Sequence, residues 1–358
     1  MKLKTILSSA LAISLTAGLL SACGSKPAPA ASSSQQQSSS ASQVAAEGAE
    51  PVLLQIAYEN NPGEPIDLAC NEWKKLLEEK SGGSMKIELF PSSQLGSKTD
   101  LIDQMLAGAP VCTIADGAFY AERGVPDFGI VFGPYLFDSW DECWKLTKSD
   151  WYREQSDKLE EAGLKILASN WIYGERHTLT KKPVHTPDDL KGMKVRVANS
   201  IIFIKGFDAL GATPTPMALG DVYTALQQGT IDGLENPLPV LYNGKFQEVA
   251  KYLVLDGHVK NFTTWTVGTD FFNSLTPEQQ KLLVETAEEA GVKNNDFQAA
   301  AEKEVREKLI ADGVTIYEPT AEEKELFRQA ALKFYEDPEI CGAWTEGLYD
   351  TVNAIIKA

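Results

Sequence analysis

Residues 190–200 read LKGMKVRVANS, and residues 210–237 read LGATPTPMALGDVYTALQQGTIDGLENP. Within them, 193–197 reads as a strand, 200–210 as a helix, and 219–228 as a second helix that stops at Gly229. Asn236-Pro237 then opens an apolar stretch, 237–251, that reads as a third helix. Strand and helix alternate, which points to an α/β layer with parallel strand pairing. One residue stands out. Arg196 lies inside an otherwise apolar strand, where a charge is costly unless it is paired. Taken alone, Arg196 reads as half of an internal salt bridge, and Asn236 as the N-cap of the helix that follows.

The same alternation occurs upstream. Residues 52–58 (VLLQIAY) read as a buried strand, 64–80 as a helix ending at Ser81-Gly82-Gly83, 85–90 as a strand closed by Pro91, 97–108 as a helix and 111–115 as a strand. A helical stretch over about 139–162 and a strand at 164–168 complete this half. A second run of alternating elements begins near Tyr173, and 260–268 (KNFTTWTVG) is β-rich and suited to return to the first sheet. The C-terminal part is mainly helical, with capping patterns at Thr276-Pro277-Glu278-Gln279 and Thr320…Glu323. Two α/β lobes with crossing connections resemble a binding-protein-like (type II-like, Venus-flytrap) fold, with a long interlobe helix near 237–251 and a helical C-terminus. Residues 51–172 plus about 262–301 are expected to form lobe I, and 173–261 plus about 302–358 lobe II. In such folds the ligand sits between lobes, at the carboxyl ends of strands.

The 358 residues carry 50 Asp+Glu against 33 Lys+Arg, a formal charge of −17. That excludes a basic nucleic-acid surface and a polybasic membrane patch. Three His and five Cys make a multi-ligand zinc site a poor fit. No cofactor is expected. The N-terminus has Lys2 and Lys4, an apolar run over 6–20, and Leu20-Ser21-Ala22-Cys23. This reads as a signal peptide over 1–22 whose end resembles a bacterial lipobox, with Cys23 as the lipidated new N-terminus. The Ser/Gln/Ala-rich residues 24–50 read as a flexible tether. Removing 1–22 brings the formal charge to −19. Cys70, Cys112, Cys143 and Cys341 then allow three disulfide pairings, and their spacing selects none.

The chain contains no G-x-x-x-x-G-K-[ST], G-x-G-x-x-G, H-E-x-x-H or G-x-S-x-G. His177, His185 and His258 are scattered. Asp188-Asp189 after Thr186-Pro187 reads as helix capping rather than acid–base chemistry.

LKGMKVRVANS, the PTPM…VYTALQQG…DG…ENP run, KFQEVAKYL (245–253) and FPSSQLGS (90–97) together resemble the tripartite ATP-independent periplasmic (TRAP) transporter solute-binding proteins of the DctP type. The resemblance runs from about residue 52 to the C-terminus. It implies that Arg196 forms the salt bridge to a ligand carboxylate. Arg176 resembles a second anion-facing arginine, Asn236 a polar contact, and Asn199 a polar position near the cleft. Glu59 and Asp116, after the first and third strands, resemble positions that reach the ligand's far end. Departures include Ala198 where many relatives have Pro, Leu219 where many have an aromatic, Gly220-Asp221, and Leu234. Leu219 lies where a side chain would pack near the ligand. Acidic Glu59 and Asp116 disfavour a second carboxylate unless another cation lies between, and so favour a hydroxylated or amino-bearing monoacid. The implied protein is a non-enzymatic, monomeric receptor outside the cytoplasm, anchored to the membrane only by lipid. It would bind a small organic anion and deliver it to a TRAP membrane permease. A co-receptor for a sensor kinase and a secreted enzyme acting on small acids remain the alternatives.

Overall fold

The computed structural model describes residues 50–358. The expected signal peptide, Cys23 and nearly all of the tether lie outside them.

The first lobe begins with Val52–Ala57 (β1), Pro65–Lys80 (α1), Met85–Phe90 (β2), Lys98–Leu106 (α2) and Val111–Ala115 (β3). β1 pairs in parallel with both β2 and β3. Gly117–Ala121 (α3), Trp140–Thr147 (α4) and Asp150–Glu161 (α5) follow. The helical stretch expected over about 139–162 is present as two helices, the second capped by Ser149, which accepts the Tyr152 amide. Leu164–Thr180 (β4) is one 17-residue strand rather than the short one expected.

Lys194–Val197 (β5), Ile201–Ala209 (α6), Thr213–Pro216 (β6), Val222–Gln228 (α7) and Gly233–Asn236 (β7) build the second lobe, with β5 parallel to β6 and β7. β6, the segment TPTP, was not read as a strand. It lies at the sheet edge, where prolines are tolerated. Leu238–Asn243 (α8) is short, so the helix expected over 237–251 does not form. Asn243-Gly244 breaks it: Lys245 takes a left-handed φ of 58°, and the Phe246 ring folds against Gly244, where a Cβ would meet it.

Tyr252–Gly268 (β8) is a second 17-residue strand, antiparallel to β4 along most of its length. These two strands run through both halves of the sheet, β8 pairing with β3 and β4 with β7. Their register slips between Ile172 and Gly174. Gly174 has φ +134°, and a Cβ there would lie 2.5 Å from Pro237 Cβ, so only glycine fits.

Thr269–Ser274 (α9) leads to Pro277–Ala311 (α10), the long helix the sequence placed at 237–251. Its 35 residues span about 50 Å at 1.5 Å per residue. Leu283, Ala287 and Ala290 pack into the first-lobe core with Trp73, Trp171 and Trp265. Val305 and Leu309 pack into the second-lobe core with Val222 and Leu226. Trp73 donates to Thr286 Oγ1 and Trp171 to the Ala287 carbonyl, which fixes the helix on the first lobe. Thr315–Tyr317 (β9) pairs with β8. Ala321–Glu336 (α11), Pro338–Cys341 (α12) and Leu348–Lys357 (α13) close the chain, α11 packing on α6 and α13 on α4. The capping boxes at Thr276 and Thr320 form as read, and Asp189 caps with Thr186. Cys70, Cys112, Cys143 and Cys341 are all free thiols.

Candidate functional site

The two parallel strand sets point their carboxyl ends at each other, so the residues that follow each strand meet in one cleft. Glu59 lies two positions beyond β1, Asp116 directly follows β3, Leu219 lies beyond β6, and Asn236 ends β7. With Arg176 of β4 and Arg196 of β5 they line a cavity of about 370 Å³, its mouth included. Six of the seven expected ligand-contacting residues are thus brought together. The seventh, Asn199, is exposed and lines an adjoining shallow pocket with Glu59 and Arg196. Leu219 and Glu59 also line the wider mouth beyond the cavity.

Arg196 does not form the internal salt bridge expected from the strand pattern. It is 3% exposed, and its Nε and Nη2 donate to the Met217 carbonyl at 3.0 and 2.7 Å. Among the described residues no carboxylate comes within ion-pair distance of it. Burial pushes its guanidinium down from the ordinary value, against the more distant pull of Glu59 and Glu235. Of the five guanidinium N–H donors, the two on Nη1 have no partner among the described residues. A buried cation with free donors has the chemistry to pair with a carboxylate.

Arg176 differs. Its Nε and Nη2 donate to the two carboxylate oxygens of Glu235, at 2.5 and 2.8 Å, and Nη1 donates to Asn261 at 3.0 Å. The rings of Phe132, Tyr173 and Phe203 box the guanidinium at 5.4–6.0 Å. Burial opposes its charge, and Glu235 outweighs burial. Arg176 therefore faces the cleft as a largely neutralised donor.

Behind it, His258 bridges two buried carboxylates, with Nε2 3.1 Å from Glu235 and Nδ1 3.1 Å from Asp256. Burial works against the imidazolium, but Asp256 and Glu235 push its pKa up to about 9. Burial likewise opposes ionised Glu235, yet Arg176 and His258 hold it down at about 2. His258 is thus part of a buried charge chain, not one of three scattered histidines.

Asn236 is not a helix cap. Pro237 occupies that position without a side-chain bond, and the buried Asn236 amide is left for the cleft. Asp116 caps α3 by accepting the Ala118 amide on Oδ1, and its other carboxylate oxygen accepts no bond from the described residues. Burial pushes its pKa up, opposed by Lys98 and Arg176.

The sequence reading missed Lys98, Tyr173, Phe203, Asn261 and Thr263, which also line the cavity. Lys98 is the first residue of α2, beyond the carboxyl end of β2, the same placement that singled out Glu59 and Asp116. It is the cation whose presence the two acids made conditional. The cleft so combines one unpaired arginine, one lysine, one neutralised arginine and two acids. Among the described residues no cluster of His, Cys, Asp and Glu is arranged to hold a metal ion.

Residues 56–339 match the DctP model of bacterial extracellular solute-binding proteins, family 7. The chain is 34% identical over 262 residues to the 2,3-diketo-L-gulonate-binding periplasmic protein of Escherichia coli, covering 73% of this chain and 78% of that one. A TRAP periplasmic solute-binding protein from Ochrobacterium anthropi, solved with bound L-fuconate, is 42% identical with a TM-score of 0.82, covering 86% of this chain and 99% of that one. One from Actinobacillus succinogenes, solved with bound L-galactonate, is 43% identical with a TM-score of 0.81, over the same shares. These relatives are binding proteins. The cleft is that of an extracytoplasmic receptor for small organic acids that serves a TRAP-type transporter, and the chain belongs to the DctP family of solute-binding proteins.

Proposed function

We propose that this receptor binds a hydroxylated monocarboxylate of the sugar-acid type and hands it, chemically unchanged, to a TRAP permease. The observation that carries the reading is Arg196: buried, bonded among the described residues only to a backbone carbonyl, and set in the same cavity as Asn236, whose side chain makes no bond to them. The ligand carboxylate seats on Arg196, where exclusion of water strengthens the charge-assisted bonds. Asn236 and the one N–H of Arg176 left free by Glu235 and Asn261 hold the carboxylate or the hydroxyl beside it. Leu219 closes the outer side. L-fuconate and L-galactonate, bound by the two similar structures, are both acids of this class.

The proposed delivery form is supported by the lipobox-like Leu20-Ser21-Ala22-Cys23. Cys23 carries the lipid after residues 1–22 are removed, residues 24–50 tether the folded part to the membrane, and the receptor works as a monomer. Replacing Cys23 with Ala should release the protein from the membrane fraction, and retention there would refute the anchor.

Titration calorimetry with L-galactonate, L-fuconate, succinate and sialic acid tests the ligand class. Binding of the sugar acids at least tenfold tighter than succinate is expected. Preference for succinate would contradict it.

A further inference from the structure

We infer that Lys98 is a masked cation in the first-lobe half of the cleft, and that Glu59, by masking it, decides whether the receptor accepts a mono- or a dicarboxylate. The inference rests on the proposed sugar-acid reading and names what recognises the acid's hydroxylated part.

Lys98 Nζ lies 3.9 Å from Glu59 Oε2, with side chains only 13% and 14% exposed. At that distance the two charges attract without a hydrogen bond. Among the described residues neither group makes any other: Lys98 donates to nothing and Glu59 accepts from nothing. Lys98 is held in place by the Phe119 ring, 4.9 Å from Nζ, and by its position behind the Ser97 cap of α2. Both side chains are incompletely buried and line the cleft, so each keeps hydrogen-bonding capacity open to a ligand. The second oxygen of Asp116 lines the same cavity and is also without a donor.

A hydroxyl completes this arrangement. Its oxygen accepts from the Lys98 ammonium and its proton goes to Glu59 or Asp116. A carboxylate does not, because it brings a second acceptor-only anion to two acids that already share one lysine. The subsite therefore selects a hydroxymethyl or secondary alcohol beside Lys98, Glu59 and Asp116. With Glu59 neutral, Lys98 would be free to pair with a second carboxylate.

Galactarate tests this because it differs from galactonate only by a carboxylate at C6. Wild type and the variants Glu59→Gln, Lys98→Gln and the double variant would be titrated with both acids, their folding checked by ligand-free melting. Wild type is expected to favour galactonate at least tenfold. Glu59→Gln should shrink that ratio at least tenfold by gaining galactarate, Lys98→Gln should weaken galactonate about tenfold, and the double variant should lose the galactarate gain. The inference is overturned if wild type binds both acids equally, if folded Glu59→Gln keeps the wild-type ratio, or if Lys98→Gln binds galactonate like wild type. Failure of wild type to bind galactonate or any other monocarboxylate would instead refute the proposed function. Should Glu59→Gln not fold, the Lys98→Gln result decides.

Discussion

Arg196 donates twice to the carbonyl of Met217. These bonds aim the guanidinium but leave its charge uncompensated in the ligand-free cleft. Such a charge opposes folding, and apolar replacement of buried charges is often neutral or stabilising. Arg196→Met is therefore expected to leave the ligand-free melting temperature unchanged or raise it. An Arg196 variant that melted several degrees lower would show that the residue serves the fold.

Glu235 makes the opposite case. It is fully buried between Arg176 and His258. Removing it leaves two buried cations facing each other, a change of about 3–5 kcal/mol in breaking a buried pair. Glu235→Ala should lose that much in urea unfolding, far more than Arg196→Met.

Two buried groups set the pH dependence. Burial pushes Glu64 from 4.5 up to about 7, opposed by hydrogen bonds from Asn60 and Asn61. Its folded pKa is raised, so its contribution is fully present below about 4.5 and is lost as pH rises through about 7. Unfolding free energies measured from pH 4.5 to 8 should show Glu64→Gln gaining on wild type, by something on the order of 2–3 kcal/mol. His258 is also raised, to about 9, so its contribution is present below about 6.5 and lost as pH climbs through 9. His258→Gln should flatten that alkaline loss.

Gly174 tests the register slip in β4. Alanine there would combine a disallowed φ with overlap onto Pro237. Gly174→Ala should destabilise by at least about 1–3 kcal/mol and weaken ligand binding, read by melting and titration together.

Much of this was legible in the sequence because the cues were local. The strands 85–90 and 111–115, the break at Gly229 and the caps at Thr276 and Thr320 each depend on a few adjacent residues. The parallel pairing followed from strand–helix alternation, and the cleft from residues following strand ends. What was missed depends on distant partners. Glu235 and Arg176 meet across 59 positions, and no spacing rule shows that this pair, not Arg196, is the salt bridge. Lys98 is ordinary in sequence and meaningful only beside Glu59. The long helix was misplaced because the apolar content of 237–251 outweighed Asn243-Gly244, while α10 carries many polar residues along both lobes.

The most direct test of the central claim is calorimetric titration of L-galactonate into wild type and Arg196→Ala at one pH and ionic strength. A desolvated charge pair lost at an anchor is worth about 2–5 kcal/mol or more. Wild type should bind with measurable heat, and the variant, still folded, should bind at least about a hundredfold more weakly. If folded Arg196→Ala bound L-galactonate within threefold of wild type, the carboxylate would not sit on Arg196 and the account would be wrong.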